Sequence, residues 1–136
     1  MPNRGLLASL DVEEAPSLAP RDEGLALLLD DGTRKSHSVA ENTAFVTGFF
    51  KGLSTTSSYC TLVTSLFFVY EAMEESFDIT KEERVRALDG PELRRLASLA
   101  RDMEFFYGPT WRHEISMSPA PKAYVQRIRQ IAQEQP

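Results

Sequence analysis

The chain has 136 residues, 42% of them hydrophobic, which suits one domain whose core removes about two thirds of the unfolded surface from water. Its net charge is -5, and the 15 basic residues are scattered among 20 acidic ones, which argues against a phosphate-tracking surface and so against a nucleic-acid partner. The single cysteine, Cys60, excludes an internal disulfide and fits a reducing compartment, and no apolar run approaches the roughly 20 residues of a transmembrane segment.

Residues 1 to 22 carry Pro2, Pro16, Pro20, Glu13 and Glu14 with no sustained apolar period, and read as a loose tail. The tail is too acidic for a typical organelle transit peptide, so a cytoplasmic location is expected, or a plastid one if a leader precedes it. Residues 23 to 136 form the helical domain. From Asp22 the pattern is helical, with Leu25, Leu28 and Leu29 on one face and His37, Ala40 and Glu41 further along; Gly32 weakens this helix without ending it. A short helix follows over about 43 to 51, with Phe45, Val46, Phe49 and Phe50 at helical spacing and Gly52 as its stop.

A Ser/Thr-rich link from Ser54 to Ser57 offers its last serines as caps for the next helix. There the spacing of Tyr59, Leu62, Val63, Leu66, Val69, Tyr70 and Met73 predicts a core helix, with Glu71, Glu74 and Glu75 at or near the surface. Charges dominate between Phe77 and Gly90, which predicts a connection with one helical turn. Pro91 then opens a helix expected to run through Leu93, Leu96, Leu99 and Met103 to Phe106, broken by Tyr107, Gly108 and Pro109. Trp111 and Ile115 pack that turn onto the core, and SPAPKAYVQRIRQIA is a last helix with Ser118 as cap and Tyr124, Ile128, Ile131 and Ala132 as its buried stripe. Six helical segments and no strand make the fold all-α, with antiparallel neighbours in a bundle-like packing.

One cysteine and two widely separated histidines provide no zinc spacing, and neither Glu-x-x-His pairs, a Gly-x-Ser-x-Gly elbow nor a glycine-rich phosphate loop occurs. What remains is His37 with Glu41 four residues on, beside an aromatic wall. On spacing alone this is either a weak surface pair or a ligand histidine whose second ring nitrogen is held by the carboxylate. His113 lacks such a partner and reads as a surface or turn residue. Phe49 suits either a core position or a ligand wall.

Across residues 24 to 136 the chain resembles the heme oxygenases. The matching pieces, in order, are Gly32 to Asn42 around His37, then FVTGFFKG, FVYEAMEE, PELRR, DMEFFYGPTW and SPAPKAYVQRIRQI. The resemblance implies an all-α, multi-helical heme oxygenase-like bundle in which heme b is both substrate and cofactor, lying between a proximal and a distal helix. It also implies opening of heme to biliverdin with release of carbon monoxide and ferrous iron. O2 serves as co-substrate, and electrons come from a ferredoxin or an NADPH-dependent reductase. His37 falls on the proximal iron ligand, and His37, Ala40, Glu41, Val46 and Phe49 make up the expected heme-binding set.

Two departures from the family pattern stand out. Asp30 occupies a position that is basic in the family and meets a heme propionate, so repulsion is expected there. The glycine-rich distal helix and its aspartate have no counterpart, so the domain is expected to be truncated before the distal helix and no catalytic residue is identified. Uncovered stripes on Tyr59 to Met73 and Tyr124 to Ala132 then predict self-association or a partner. Two alternative readings accompany the enzyme: a heme-binding or carrier relative without turnover, and a helical interaction module.

Overall fold

A computed structural model describes residues 24–134, so the expected loose tail lies outside the described residues. The described elements are all helical: α1 (Leu25–Glu41), α2 (Ala44–Phe50), α3 (Thr56–Ile79), α4 (Glu83–Arg86), α5 (Leu96–Tyr107), α6 (Trp111–Glu114) and α7 (Pro119–Glu134), with a single 3-10 turn at Pro91–Leu93. No strand occurs among the described residues. The chain divides into two compact units, one ending at Thr47 and the other beginning at Gly48.

In the first unit α1 runs through Gly32 unbroken, and none of its residues is buried. Leu25, Leu28 and Leu29 all stand exposed. Asn42 ends the helix, its side-chain amide donating to the Ser38 carbonyl at 2.7 Å. Thr43 then opens α2, its hydroxyl accepting from the Val46 amide at 3.3 Å.

In the second unit, Gly52 closes α2 with φ 70°. Its amide donates to the Phe49 carbonyl and that of Leu53 to the Gly48 carbonyl, both at 2.9 Å. This paired closure needs a left-handed residue, which glycine supplies without steric cost. The cap of α3 is Thr55, whose hydroxyl accepts from the Ser58 amide at 3.1 Å, and not the later serines of the link.

The core lies between α3, α5 and α6, where Val63, Phe67, Leu99, Met103 and Trp111 are buried together. The inward line of α3 differs from the expected one, since Tyr59, Leu62 and Leu66 are exposed while Phe67 and Ala72 are buried. Phe67 meets the edge of Trp111 with ring centroids 5.0 Å apart. Arg112 covers the indole at 4.6 Å and pairs with Glu71 at 3.6 Å. The one buried polar side chain described, Thr64, places its hydroxyl 3.0 Å from the Tyr107 hydroxyl and 3.6 Å from the Met103 sulfur.

The helix expected to run on from Pro91 is interrupted. Arg94 is extended, and its guanidinium bonds Asp89 and Asp78 while lying 3.7 Å from Glu74. Glu74 then restarts the helix: one of its oxygens accepts the backbone N–H groups of Arg95 at 2.6 Å and Leu96 at 2.8 Å. A carboxylate from α3 therefore serves as the N-terminal cap of α5 and stabilises the positive end of its dipole. Gly108, with φ 83°, ends α5.

α7 packs along α3. Its inward residues are Val125, Ile128 and Ala132, whereas Tyr124 and Ile131 are exposed. Ile128 and Ala132 of the expected stripe are kept, while Val125 takes the buried place expected of Tyr124 and Ile131 turns outward.

Candidate functional site

The chemistry-bearing residues are set by α1 and α2. A 17-residue helix presents His37 and Glu41 one turn apart, with the His37 Nδ1 atom 3.3 Å from a Glu41 oxygen. Both side chains are open to solvent, 71% and 63% exposed. Their mutual attraction is therefore small, about 0.3–0.5 kcal/mol. The pairing is directional all the same: it is Nδ1 that faces Glu41, on a ring that is largely open to solvent. Ala40, three residues after His37, is exposed and adds a methyl to the same helix, with no bulk to obstruct a flat molecule.

Asp30, expected to repel an anionic ligand, is not an isolated charge. Arg34 lies 3.0 Å from Asp30 and 2.7 Å from Asp31, both within one turn. The hydrogen bond that Arg34 donates to Asp30, with both aspartate charges, pushes the Arg34 guanidinium above its ordinary pKa. One turn before His37 the helix thus carries a cation whose partner is the acidic pair. Sequence reasoning passed over Arg34, although its spacing of four from Asp30 and three from Asp31 is the signal for such a clamp.

Val46 is half-buried in the first unit, and Phe49 is partly exposed in the second. Both lie on α2, three residues apart. Phe49 stacks on Tyr59 with centroids 6.1 Å apart and meets Phe50 edge-on at 5.8 Å. His113, on the short α6, is exposed and has no ion-pair partner among the described residues.

Nothing else described competes as a reactive centre. No group of three or more His, Cys, Asp or Glu side chains that could hold a metal ion occurs among the described residues. An apolar groove of about 320 Å³ between α3, α4 and α7 is lined by Met73, Phe77, Val85, Ile128, Ile131 and Ala132. The two hydroxyls on its wall are already engaged, Ser76 donating to the Ala72 carbonyl and Thr80 accepting from the Glu82 amide. No helix among the described residues is long and apolar enough to cross a membrane.

The family model described as heme oxygenase matches residues 23–136. Heme oxygenase 1 of Synechocystis sp. is 48% identical over 109 residues, covering 79% of this chain and 45% of that protein. The heme oxygenase of Guillardia theta is 44% identical over 113 residues, covering 82% of this chain and 48% of its own. Among solved structures, Synechocystis heme oxygenase-1 in complex with heme superposes with a TM-score of 0.78 at 46% identity, covering 84% of this chain and 52% of that one. The chain spans about half the length of the curated relatives it matches. With this likeness running through the helix that bears His37 and on through α7, the chain belongs to the heme oxygenase family.

Proposed function

We propose that this chain supplies the proximal side of a heme oxygenase, with heme b as substrate and cofactor and His37 as the axial ligand of its iron. The observation that carries this reading is the approach of Glu41 to the His37 ring. Glu41 stands 3.3 Å from Nδ1, so Nε2 is the nitrogen proposed to meet the iron. The surroundings fit a planar, iron-bearing, dianionic molecule. Within the first unit Ala40 gives clearance on the helix, Val46 offers apolar surface, and Arg34 provides a cation one turn before the ligand, while Phe49 joins the proposed heme-binding set on the family likeness alone. Bound heme would supply the redox chemistry, and ring opening to biliverdin, carbon monoxide and ferrous iron is the proposed activity of the whole protein.

The part played by residues of this chain is binding and orientation. Glu41 fixes the imidazole ring and makes it a stronger donor. Arg34 exchanges part of its pairing with Asp31 for a propionate, which offsets the charge that Asp30 introduces. O2 as co-substrate and a ferredoxin or an NADPH-dependent reductase as electron donor complete the proposal, with activity in the cytoplasm or a plastid.

Titration with ferric heme tests the reading. The wild type and His113→Ala are expected to shift the Soret band alike on stoichiometric heme, and His37→Ala to leave it near that of free heme. Equal shifts in the wild type and His37→Ala would remove His37 as the ligand.

A further inference from the structure

The break between the Pro91–Leu93 turn and α5 rests largely on one torsion. Gly90 is extended and Pro91 stands in the first turn, so the entry of a helix is already built there. Leu93 and Arg94 donate backbone bonds to the Gly90 and Pro91 carbonyls at 2.9 and 3.3 Å. Arg94 keeps a helical φ of -68°, but its ψ of 132° is extended, and α5 restarts at Leu96. A helical ψ at Arg94, about -42°, with a smaller adjustment at Arg95 (φ -125°, ψ -15°), would join the two pieces. The amides of Arg95 and Leu96 would then reach the Pro91 and Glu92 carbonyls in the ordinary helical pattern. After its proline the stretch PELRRLASLA consists mostly of good helix formers.

We propose that residues 91–96 are a two-state joint, with the broken form observed here and a continuous form in which α5 begins at Pro91. Side chains from outside this stretch hold the broken form. One Glu74 oxygen takes both orphaned amides, at 2.6 and 2.8 Å, and Arg94 bonds Asp89 at 2.7 Å and Asp78 at 2.8 Å. Glu74 also lies 3.7 Å from Arg94, so three carboxylates share one guanidinium. Arg94 is 29% exposed and Asp78 63%, which limits the strength of their pairing and makes it sensitive to salt. Local helix propensity and capping from α3 therefore pull in opposite directions, the condition for two forms close in free energy. Every group that decides between them belongs to the second unit. Leu88 and Leu93 move with the joint; with Met73 and Phe77 of α3 they wall a recess of about 290 Å³, so the two forms differ in the shape of that recess.

Backbone Cα chemical shifts of the full chain, with variants outside the heme-binding set, test the proposal. Glu74→Ala and Arg94→Ala each leave the other hold in place and are expected to keep an extended shift at position 94. The double variant removes both holds and is expected to show helical shifts from position 91 through 96, with a loss of stability smaller than the two single losses added together. In the wild type, saturation-transfer exchange spectroscopy should detect a minor form whose Arg94 shift is helical, and about 0.5 M NaCl should raise its population about twofold. An extended shift at position 94 in the folded double variant overturns the proposal, and so do additive losses of stability. If the double variant does not fold, the wild-type exchange measurement decides alone, and absence of the minor form at both salt concentrations overturns the proposal.

Discussion

Replacing Glu74 tests how the α3 and α5 helices are joined. The residue that precedes α5, Arg95, offers no side-chain cap of its own. The first free amides of the helix instead reach a Glu74 oxygen at 2.6 and 2.8 Å, and the Glu74 side chain is only 12% exposed. In Glu74→Ala the Arg95 amide, at the surface, recovers a partner from water, while that of Leu96, partly buried, does so poorly. Loss of a helix cap costs about 1 kcal/mol, and an under-satisfied amide adds about 1–2 kcal/mol, so the expected loss is about 2–3 kcal/mol. At about 4 °C per kcal/mol for a domain of this size, the melting temperature should fall by about 10 °C. Glu74→Gln keeps an acceptor but loses the charge, and should fall roughly half as far. The assay is thermal unfolding followed by far-ultraviolet circular dichroism at pH 7. A Glu74→Ala melting temperature within about 2 °C of the wild type would refute the capping argument.

The Arg94 cluster carries a pH signature. The hydrogen bonds from Arg94 hold the Asp89 carboxyl below its ordinary pKa, so the pairing stabilises the fold above about pH 4 and is lost as the pH falls through that depressed value. Arg94→Gln should therefore be less stable than the wild type at pH 7 and close to it near pH 2, as read by urea unfolding at both values; an unchanged gap would contradict this. Thr64→Val removes the hydroxyl that meets Tyr107 and should cost about 1 kcal/mol in the same assay, with the Tyr107 hydroxyl left short of a partner. Trp111→Ala opens the core beside Phe67 and should cost about 3–5 kcal/mol, enough to threaten folding of the second unit.

Helix positions were legible wherever local chemistry decides them. Gly52 and Gly108 stop α2 and α5 because their backbone conformations favour glycine, and both are visible in the sequence as ends of apolar runs. The all-α fold followed from the same helical periods. The inward faces were less legible. α3 is apolar around much of its circumference, so Tyr59, Leu62 and Leu66 fit a helical stripe as well as Phe67 does. The choice between them is made by Met103 and Trp111, distant in sequence. The interruption at Arg94 was hidden for the same reason, since propensity favours continuing the helix from Pro91, and only the approach of Glu74 and Asp78 from α3 makes the break favourable. At the site, the spacing of His37 and Glu41 read directly as a helical pair. The clamp of Arg34 on Asp30 and Asp31 is legible in the spacings of four and three, and it turns a position that reads as a bare negative charge into one paired with a cation.

The central claim is that His37 binds heme iron through Nε2 while Glu41 strengthens it from Nδ1. Resonance Raman spectroscopy of the ferrous heme complex reads this through the iron–imidazole stretch. The wild type should show that band, His37→Ala should lack it, and Glu41→Gln should shift it to lower frequency as the imidazole becomes a weaker donor. A band that persists in His37→Ala, or that stays in place in Glu41→Gln, would contradict the account.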